Sequence, residues 1–275
     1  MTVAYQGEPG AFSEEAARLL FGRAVRPAPL ERFKDVFQFA AKHRSSYGIV
    51  PIENSVSGSI HQNTDLLLRH KLHIIGEVKL CVQLHLMALP GVSLKNIRSV
   101  YSHAQVLGQC EDFLRSRWRV NVVAYYDTAG AAKMIRERNR RNSADIESAR
   151  AASAYGLKIL RRNVESNHHN YTRFIALSGR RADPRVGKKT SLVFAARNVP
   201  GALCKALAVF ALREINMLKI ESRTLIGKPW EYLFDVDVEG LTADRRMQQA
   251  LGHLDELTTF LRVLGSYLFG KTIKD

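Results

Sequence analysis

The feature that most constrains the fold is a break in pattern between Gly179 and Lys189, where glycine, proline and basic residues interrupt the apolar runs found on both sides. Such a segment is typical of a linker between domains. A chain of 275 residues is long enough for two domains that each bury their own core. We therefore predict a first domain over residues 1–178, a linker over 179–189 and a second domain over 190–275.

The first region alternates short apolar strands with helical stretches, which is typical of layered α/β folds. Strands are predicted at residues 2–5, 48–52 and 122–124. Alternating apolar residues over 77–86 predict a further strand with one buried face, at which a second lobe would begin. Helices are predicted at residues 13–21, 61–69, 104–118, 129–138 and 148–155.

The second region has a different order of elements. Its pattern predicts a strand, a helix, two strands, a helix and a final strand, at residues 191–196, 202–214, 217–221, 232–238, 243–257 and 260–266. This βαββαβ order is the ferredoxin-like plan, which many small ligand-binding domains share but which does not by itself define a function.

The formal net charge of +15 would suit a nucleic-acid partner. The basic residues cluster at 115–119, 136–141 and 180–189, in predicted helix ends and the linker, without the repeated interleaving of aromatic residues that a base-stacking surface shows. We therefore predict a solvated basic surface and no nucleic-acid partner. Such a surface would concentrate anionic substrates near the protein at low salt.

The cysteines Cys81, Cys110 and Cys204 lie far apart in apolar contexts, without metal-ligand spacing or a disulfide pattern, so we interpret all three as core residues. No apolar run approaches the roughly 18 residues of a membrane span. The first residues lack a secretory signal pattern, which predicts a cytoplasmic protein without a membrane partner. The glycine-containing loop at residues 5–10 lacks a nucleotide-binding spacing, and we expect no metal or organic cofactor.

Polar residues stand at several predicted junctions between a strand and a helix, where α/β proteins commonly bind ligands. The residues concerned are Glu53, Asn54, Ser55, Ser102, His103, Gln105, Asp127 and Thr128. Local structure is an alternative explanation, because Asn54 and Ser55 suit a turn, and Ser102 with Gln105 suits a helix capping box. These junctions alone leave both interpretations open.

Residues 170–174, Asn-Tyr-Thr-Arg-Phe, place an amide, a hydroxyl, a guanidinium and an aromatic ring directly before an apolar strand. A guanidinium can bind a carboxylate through two hydrogen bonds, a hydroxyl can donate to a departing oxygen, and a ring can exclude water. The combination suits a small dianionic substrate, although a polar turn would have a similar composition. The preceding His168 and His169 lack a defined third ligand and are interpreted as loop residues.

Together these segments resemble prephenate dehydratase, including its arogenate-using plant relatives, over nearly the whole chain. The matching segments are AYQGEPGAFSEEAA (4–17), VPIENSVSGSIHQNTDLLLRHKLHIIGE (50–77), SHAQVLGQC (102–110), YGLKIL (155–160) and NYTRF (170–174). VPGALCKAL (199–207) and IESRT (220–224) resemble the two phenylalanine-binding motifs of the ACT regulatory domain. Ala104, Glu147 and Thr224 depart from the family pattern, which usually has proline, alanine and proline there.

The resemblance implies an α/β catalytic domain of two lobes, similar to a periplasmic binding protein, with the active site between them. Lobe 1 would comprise about residues 1–77 plus 163–178, and lobe 2 about 78–162. A ferredoxin-like ACT domain over 190–275 would sense phenylalanine. The implied reaction is the decarboxylating dehydration of prephenate to phenylpyruvate by a homodimer or homotetramer. Arogenate as substrate and a non-catalytic amino-acid-sensing relative are the alternatives.

The resemblance also implies roles for individual residues. Thr172 would donate to the departing hydroxyl, Glu53 would be a protonated proton source, and Phe174 would complete the catalytic motif. Arg173 would bind a carboxylate, with a structural ion pair as its alternative. The expected substrate-binding residues are Asn54, Ser55, Ser102, His103, Gln105, Thr128 and Asn170. The expected effector-binding residues are Asn198, Gly201, Ala202, Leu203, Glu221, Ser222 and Arg223.

Overall fold

A computed structural model describes the chain from Met1 to Ile273 apart from residues 23, 43–44, 118–119, 184 and 225–231, and it leaves out the side chains of Arg117 and Thr128. The described part contains three β-sheets, which we call the first, second and third sheet, with helices packed on their faces.

The first sheet combines the N-terminal strands with two segments from later in the chain. Along the sheet its strands are β16 (Lys271–Ile273), β5 (His73–Cys81), β11 (Tyr171–Ser178), β3 (Ser46–Asn54), β1 (Thr2–Gln6) and β2 (Arg26–Leu30), with β4 (Gly58–Ser59) paired to β3. β11 runs antiparallel between β3 and β5. Its helices are α1 (Phe12–Phe21), α2 (Phe33–Lys42) and α3 (His61–Arg69). In α2 the buried residues Val36, Phe37 and Ala40 recur at helical spacing and form one face against the sheet.

The second sheet forms the other lobe. Along the sheet its strands are β10 (Lys158–Arg161), β6 (His85–Ala88), β9 (Ser143–Glu147), β7 (Ser99–His103) and β8 (Asn121–Tyr125). Its helices are α4 (Ala104–Gln109), α5 (Glu111–Arg117), α6 (Thr128–Glu137) and α7 (Ala149–Tyr155). Because β7, β8 and β9 are parallel, their carboxyl ends meet at one edge of the sheet. The helix predicted over 104–118 is two helices that meet at the buried Cys110, and its predicted last residue, Trp118, lies outside the described residues.

Two adjacent segments connect the lobes. The amide of Val82 donates to the carbonyl of Asn170 at 2.7 Å, and the amide of Val164 donates to the carbonyl of Leu84 at 2.8 Å. The prediction of a single strand over 77–86 is therefore wrong. Its alternating apolar residues belong to three segments. These are β5 in the first lobe, the crossing between the lobes at residues 82–84, and β6 in the second lobe. The alternation continues without a break because the crossing residues Val82 and Leu84 are themselves buried.

The third sheet has the predicted ferredoxin-like order. Its strands, along the sheet, are β13 (Met217–Thr224), β14 (Tyr232–Glu239), β12 (Lys189–Ala196) and β15 (Thr258–Tyr267), all antiparallel to their neighbours. Helices α8 (Ala202–Ala211) and α9 (Arg245–Leu257) cover one face. Phe194 and Phe234 stack at 5.1 Å between ring centroids in the core beneath them.

The opposite face of the third sheet packs directly on the first lobe. Val193, Leu264 and Tyr267 share one hydrophobic cluster with Val50 and Ile175 of the first sheet. A Cβ atom added to Gly265 would lie 2.0 Å from the carbonyl oxygen of Ile74. The two sheets therefore approach more closely than any residue larger than glycine at position 265 would permit. The two predicted domains thus share a core as well as a linker.

The C-terminal boundary of the predicted second domain needs correction. Residues 271–273 form β16, which pairs in parallel with β5 at the edge of the first sheet. The chain therefore returns to the first lobe after completing the third sheet. A three-residue strand carries too little periodicity to be recognised in the sequence.

Two of the three cysteine interpretations are confirmed: Cys81 and Cys110 are buried, and burial raises the pKa of the Cys110 thiol to about 12. The interpretation of Cys204 is wrong, because this residue is exposed on α8. The buried face of α8 is formed by Ala206, Val209 and Phe210, which recur at helical spacing. Cys204 lies two residues before Ala206 and therefore points away from this face.

Candidate active site

A cavity of about 320 Å³ lies between the two lobes. This volume suits a small organic molecule. From the first lobe its lining includes Gln6, Phe12, Phe33, Asn54, Thr172 and Phe174. From the second lobe it includes His103, Gln105, Val106, Gln109, Tyr126 and Asp127. The sequence-predicted residues Asn54, His103, Gln105, Thr172 and Phe174 are thus brought together across a single cleft.

Thr172 and Asn54 lie side by side at the base of the cavity. They are paired in the antiparallel register of β11 and β3, and the side-chain amide of Asn54 donates from Nδ2 to Thr172 Oγ1 at 2.9 Å. The same Nδ2 donates to Asn170 Oδ1 at 2.6 Å. All three residues are buried, so these hydrogen bonds are shielded from competition with bulk water.

The direction of these hydrogen bonds is determined by the turn that follows β3. Asn54 Oδ1 accepts from the backbone amides of Val56 and Ser57, at 3.0 and 2.9 Å, and from the Ser57 hydroxyl at 3.0 Å. Oδ1 is therefore the acceptor end of the amide, and Nδ2 must be the end that faces Thr172. Because Thr172 Oγ1 accepts from Asn54, its own hydrogen can be donated to a molecule in the cavity.

The second lobe supplies further polar groups through α4. His103 is the N-cap of this helix, and its Nδ1 accepts from the Gln105 amide at 3.3 Å, which leaves Nε2 to carry the hydrogen in the neutral ring. Gln105 Nε2 donates across the cleft to Ser57 Oγ at 2.7 Å. Gln109 Oε1 accepts from Asn170 Nδ2 at 3.1 Å. The amide network thus continues from the first lobe into the second.

Arg173 does not lie in the cavity, contrary to the expectation that it binds a substrate carboxylate. Successive residues of a strand point to opposite faces, so Thr172 and Phe174 face the cleft while Arg173 faces the third sheet. Its Nε donates to Glu77 Oε2 at 2.6 Å and its Nη1 to Asp237 Oδ2 at 2.7 Å. The geometry therefore agrees with the alternative interpretation of Arg173, which was a structural ion pair.

Glu53 requires the same correction as Arg173, its register partner on β11. Its carboxylate lies on the third-sheet side, 3.2 Å from Lys219 Nζ and 3.5 Å from Arg173 Nη1. The cavity is lined by its neighbour Asn54 instead. A proton source for a reaction in the cleft cannot be placed on Glu53, because the strand separates its carboxylate from the cavity.

A buried ionic network surrounds Arg173. Lys189 Nζ lies 3.0 Å from Glu77 Oε2 and 3.1 Å from Asp237 Oδ2, and the Tyr267 hydroxyl accepts from Arg173 Nη2 at 3.0 Å. Burial by itself would raise the pKa of the Glu77 and Asp237 carboxyls, but the charges of Arg173 and Lys189 hold the pKa of both below their ordinary values. Both carboxylates are therefore ionised at neutral pH.

Two predicted substrate-binding serines have their hydroxyls in structural hydrogen bonds. Ser102 is fully buried in β7 and donates to the Ile146 carbonyl at 2.7 Å, so the predicted capping box is wrong and His103 is the N-cap. Ser55 Oγ donates to the His169 carbonyl and accepts from the Tyr171 amide, both at 2.8 Å. The predicted role of Thr128 falls on a side chain outside the described part.

Sequence reasoning missed several residues of the cavity, among them Gln109, Tyr126 and Asp127. Gln109 lies within the matching segment 102–110, one helical turn after Gln105, so helical spacing was the available signal. Asp127 was recognised at a strand-to-helix junction but not as part of the site. It caps α6 by accepting from the Gly130 amide at 3.0 Å, and accepts from the Glu8 amide of the other lobe at 3.3 Å.

The predicted effector residues fall into two groups. Asn198, Gly201, Ala202 and Leu203 lie at the start of α8, with Gly201 as N-cap at a φ of 76°. Glu221 and Arg223 instead face the first lobe: Ser59 Oγ donates to Glu221 Oε2 at 2.5 Å, and Arg223 pairs with Asp65 of α3. Strand alternation leaves Ser222 exposed on the other face. Glu221 and Arg223 are therefore interface residues in this chain.

The described residues contain neither a metal-binding cluster nor a membrane-spanning helix. No group of three or more histidine, cysteine, aspartate or glutamate side chains could hold a metal ion there. Across the same part of the chain, no helix is both long and apolar enough to cross a membrane.

The fold and the site together define a two-lobed α/β protein of the periplasmic-binding-protein-like type, with a polar pocket between the lobes. A family model described as prephenate dehydratase matches residues 3–182. The chain belongs to the prephenate dehydratase family, as its motifs indicated.

Curated relatives extend this similarity beyond the matched region. The chain is 46% identical to arogenate dehydratase/prephenate dehydratase 2, chloroplastic, of Arabidopsis thaliana, over 96% of this chain and 72% of that protein. It is 44% identical to arogenate dehydratase 2 of Petunia hybrida, over 97% and 71%. It is 38% identical to the bifunctional chorismate mutase/prephenate dehydratase of Aquifex aeolicus, over 96% and 73%. Since the Arabidopsis protein is named as chloroplastic, a cytoplasmic location stays a prediction for this chain.

Solved structures share the whole architecture. Prephenate dehydratase from Arthrobacter aurescens in complex with L-Phe has a TM-score of 0.87 and 28% identity, covering 98% of this chain and 90% of that one. A protein described as GqqA, a novel type of quorum quenching acylase, has a TM-score of 0.86 and 34% identity, covering 97% of both chains. Phenylalanine binding is thus seen in a structural relative that includes the third sheet.

Proposed function

We propose that the chain catalyses the decarboxylating dehydration of prephenate, or of its amino counterpart arogenate, within aromatic amino-acid biosynthesis. The observation that carries the proposal is the Thr172 hydroxyl, which Asn54 orients toward the cavity between the lobes. The names of the relatives support both substrates.

The reaction needs positioning and one hydrogen-bond donor more than strong acid–base chemistry. The bond between the ring and its carboxyl carbon breaks, its electrons move into the ring, and the hydroxyl on the opposite ring carbon leaves with a proton as water. Carbon dioxide and an aromatic product result: phenylpyruvate from prephenate, phenylalanine from arogenate. Thr172 donates to the departing oxygen, which stabilises the negative charge that develops there. A threonine hydroxyl is too weak an acid to transfer its proton outright, so it acts as a donor or relay.

The other predicted groups have narrower roles in this proposal. Phe174, 2% exposed beside Thr172, excludes water from the reacting ring. Asn170 holds Asn54, and Gln105 and His103 present hydrogen-bond donors from the second lobe. Ser55 and Ser102 support the backbone of the site. Glu53 and Arg173 act from the far side of the strands that carry Asn54 and Thr172.

Product formation from each substrate tests the proposal. We expect the wild-type chain to form phenylpyruvate from prephenate or phenylalanine from arogenate, and Thr172→Ala to lose about 100-fold or more in kcat. Thr172→Ser keeps the hydroxyl and should retain most turnover, and Thr259→Ala, at an exposed site, is the control. Wild-type turnover by Thr172→Ala would overturn the assignment. No product from either substrate would favour a non-catalytic amino-acid-sensing relative.

We further propose that the third sheet is an ACT-type regulatory domain that binds phenylalanine, in a homodimer or homotetramer. The L-Phe complex of the Arthrobacter relative supports this proposal. The contacts of Lys219, Glu221 and Arg223 with the first lobe offer a physical route from the regulatory sheet to β3 and α3. Phenylalanine should change both turnover and thermal stability, and no effect on either would contradict this part of the proposal.

A further inference from the structure

The cavity has an unusual charge balance for a site that receives carboxylates. Among its described lining residues there is no lysine or arginine, and Asp127 contributes a carboxylate. Prephenate carries two carboxylates and a ketone, a net charge of −2. Arogenate carries the same two carboxylates and an ammonium in place of the ketone, a net charge of −1. The described lining therefore offers prephenate no lysine or arginine partner, and the Asp127 carboxylate opposes its negative charge.

From this balance we propose that Asp127 selects arogenate over prephenate by pairing with the substrate ammonium. The inference rests on the proposed dehydration and identifies the substrate of that same site. A carboxylate in a partly desolvated pocket favours a cation and disfavours a second anion. Asp127 is 9% exposed, so water screens its charge only in part.

The position of Asp127 in the cleft agrees with the shape of the substrate. In both molecules the hydroxyl and the side chain that carries the ketone or ammonium are attached to opposite carbons of the ring. Thr172 lines the cavity from the first lobe and Asp127 from the second. A substrate whose hydroxyl contacts Thr172 therefore directs its side chain away from Thr172, and Asp127 is the carboxylate that the described second-lobe lining offers to it.

The local structure holds the negative charge of Asp127 in place. Its Oδ2 accepts from the amides of Gly130 and Glu8, at 3.0 and 3.3 Å. Amide donors at a helix N-terminus favour the ionised form of a carboxylate. The Glu8 amide comes from the first lobe, so Asp127 is fixed relative to both walls of the cleft.

A purely structural role for Asp127 as the cap of α6 makes a different prediction. Asparagine and serine are also good N-caps, so Asp127→Asn and Asp127→Ser remove the charge while retaining an acceptor for the Gly130 amide. If Asp127 only caps the helix, both variants should treat the two substrates alike. If it recognises the ammonium, kcat/KM should fall for arogenate while that for prephenate is unchanged or rises.

Steady-state kinetics on both substrates decide between these roles. We expect wild-type kcat/KM to be higher for arogenate, and Asp127→Asn to lower it for arogenate by about 10- to 100-fold, mainly through KM, while that for prephenate is unchanged or rises. The control is Asp244→Asn, which removes the charge of the N-cap residue of α9, far from the cavity. Equal losses for both substrates in Asp127→Asn, or a wild-type preference for prephenate, would overturn the inference.

Binding measurements separate this inference from the proposed reaction. Calorimetric titration of the Thr172→Ala variant with each substrate reports affinity without turnover. Tighter binding of arogenate than of prephenate, abolished by adding Asp127→Asn, supports the inference even if the wild type proves to be inactive. Equal affinities for the two substrates in Thr172→Ala would refute it even if the wild type is active.

Discussion

The guanidinium of Arg173 lies 2.6 Å from the carboxylate of Glu77, on the face of β11 opposite the cavity. Arg173 is the neighbour of Thr172 in the chain, and it also binds Asp237 of the third sheet. The strand β11 therefore presents the Thr172 hydroxyl to the cleft and the Arg173 guanidinium to the third sheet. This arrangement gives Arg173 a role in holding the strand of the active site without contact with the substrate.

Replacing Arg173 by methionine should destabilise the protein by about 3–5 kcal/mol, because Glu77 and Asp237 would lose a buried cation. Urea unfolding monitored by circular dichroism measures the change. Arg32→Met, which removes an exposed ion pair with Asp35, is the control and should have little effect. An Arg173→Met variant as stable as the wild type would contradict the structural role.

The same network predicts a loss of stability in acid. The pKa of both Glu77 and Asp237 is below its ordinary value of 4.5 or 3.8 in the folded chain. Their contribution is therefore fully present above those ordinary values and is lost as pH falls through the lowered folded values. We expect the free energy of unfolding to decrease as the pH falls below about 4.5, the ordinary value for Glu77. Glu77→Gln should flatten that dependence, and an unchanged slope would argue against the network as its source.

Asn54 gives a test of how Thr172 is oriented. In Asn54→Asp the carboxylate cannot donate to Thr172 Oγ1, so the Thr172 hydroxyl would donate to the carboxylate instead of to the substrate. We expect kcat to fall toward that of Thr172→Ala while the protein remains folded by circular dichroism. Asn163→Asp, at an exposed loop position away from the cavity lining, is the matched control. Wild-type kcat in Asn54→Asp would show that the amide does not control the hydroxyl.

The buried Asp145 predicts the opposite pH dependence to that of Glu77. Burial, with a further contribution from the charge of Glu147, raises the pKa of Asp145 well above its ordinary 3.8. At a pH between the ordinary and the raised pKa the group is protonated in the folded chain and ionised in the unfolded chain, so its destabilising effect grows as pH rises above 3.8. Asp145→Asn should raise the melting temperature at pH 8 and change it little at pH 4. Asp255→Asn, at an exposed site, should show no such pH-dependent difference.

The sequence located Asn54, Thr172 and Phe174 but could not decide which side of β11 faces the cleft. Both faces of this strand are buried, so no alternation of apolar and polar residues distinguishes Thr172 from Arg173. Asp127 and Gln109 were harder to assign to the site. Their position relative to Thr172 depends on how the two lobes, which two crossings connect, pack against each other. The order of strands and helices was easier to predict from the sequence, because the periodicities of strands and helices are local properties of the chain.

Variants of Lys219 and Ser59 test whether the interface between the third sheet and the first lobe transmits the proposed effect of phenylalanine. Lys219 Nζ lies 3.2 Å from both Glu53 Oε2 and Ser59 Oγ, and Ser59 Oγ donates to Glu221. Glu53 is the neighbour of Asn54, so these contacts connect β13 to the strand that orients Thr172. We expect Lys219→Met and Ser59→Ala to keep the basal kcat but to weaken the effect of phenylalanine on turnover.

A phenylalanine dose–response curve for each variant measures this coupling, which in allosteric proteins is typically about 1–3 kcal/mol. Lys34→Met removes an exposed charge on α2 away from the interface and should respond like the wild type. Calorimetric titration with phenylalanine must show that Lys219→Met still binds the effector, since lost binding and lost transmission would otherwise look alike. If binding persists and the response is unchanged, the signal does not pass through the contacts of Lys219, and the route through Arg223 and Asp65 to α3 becomes the one to test.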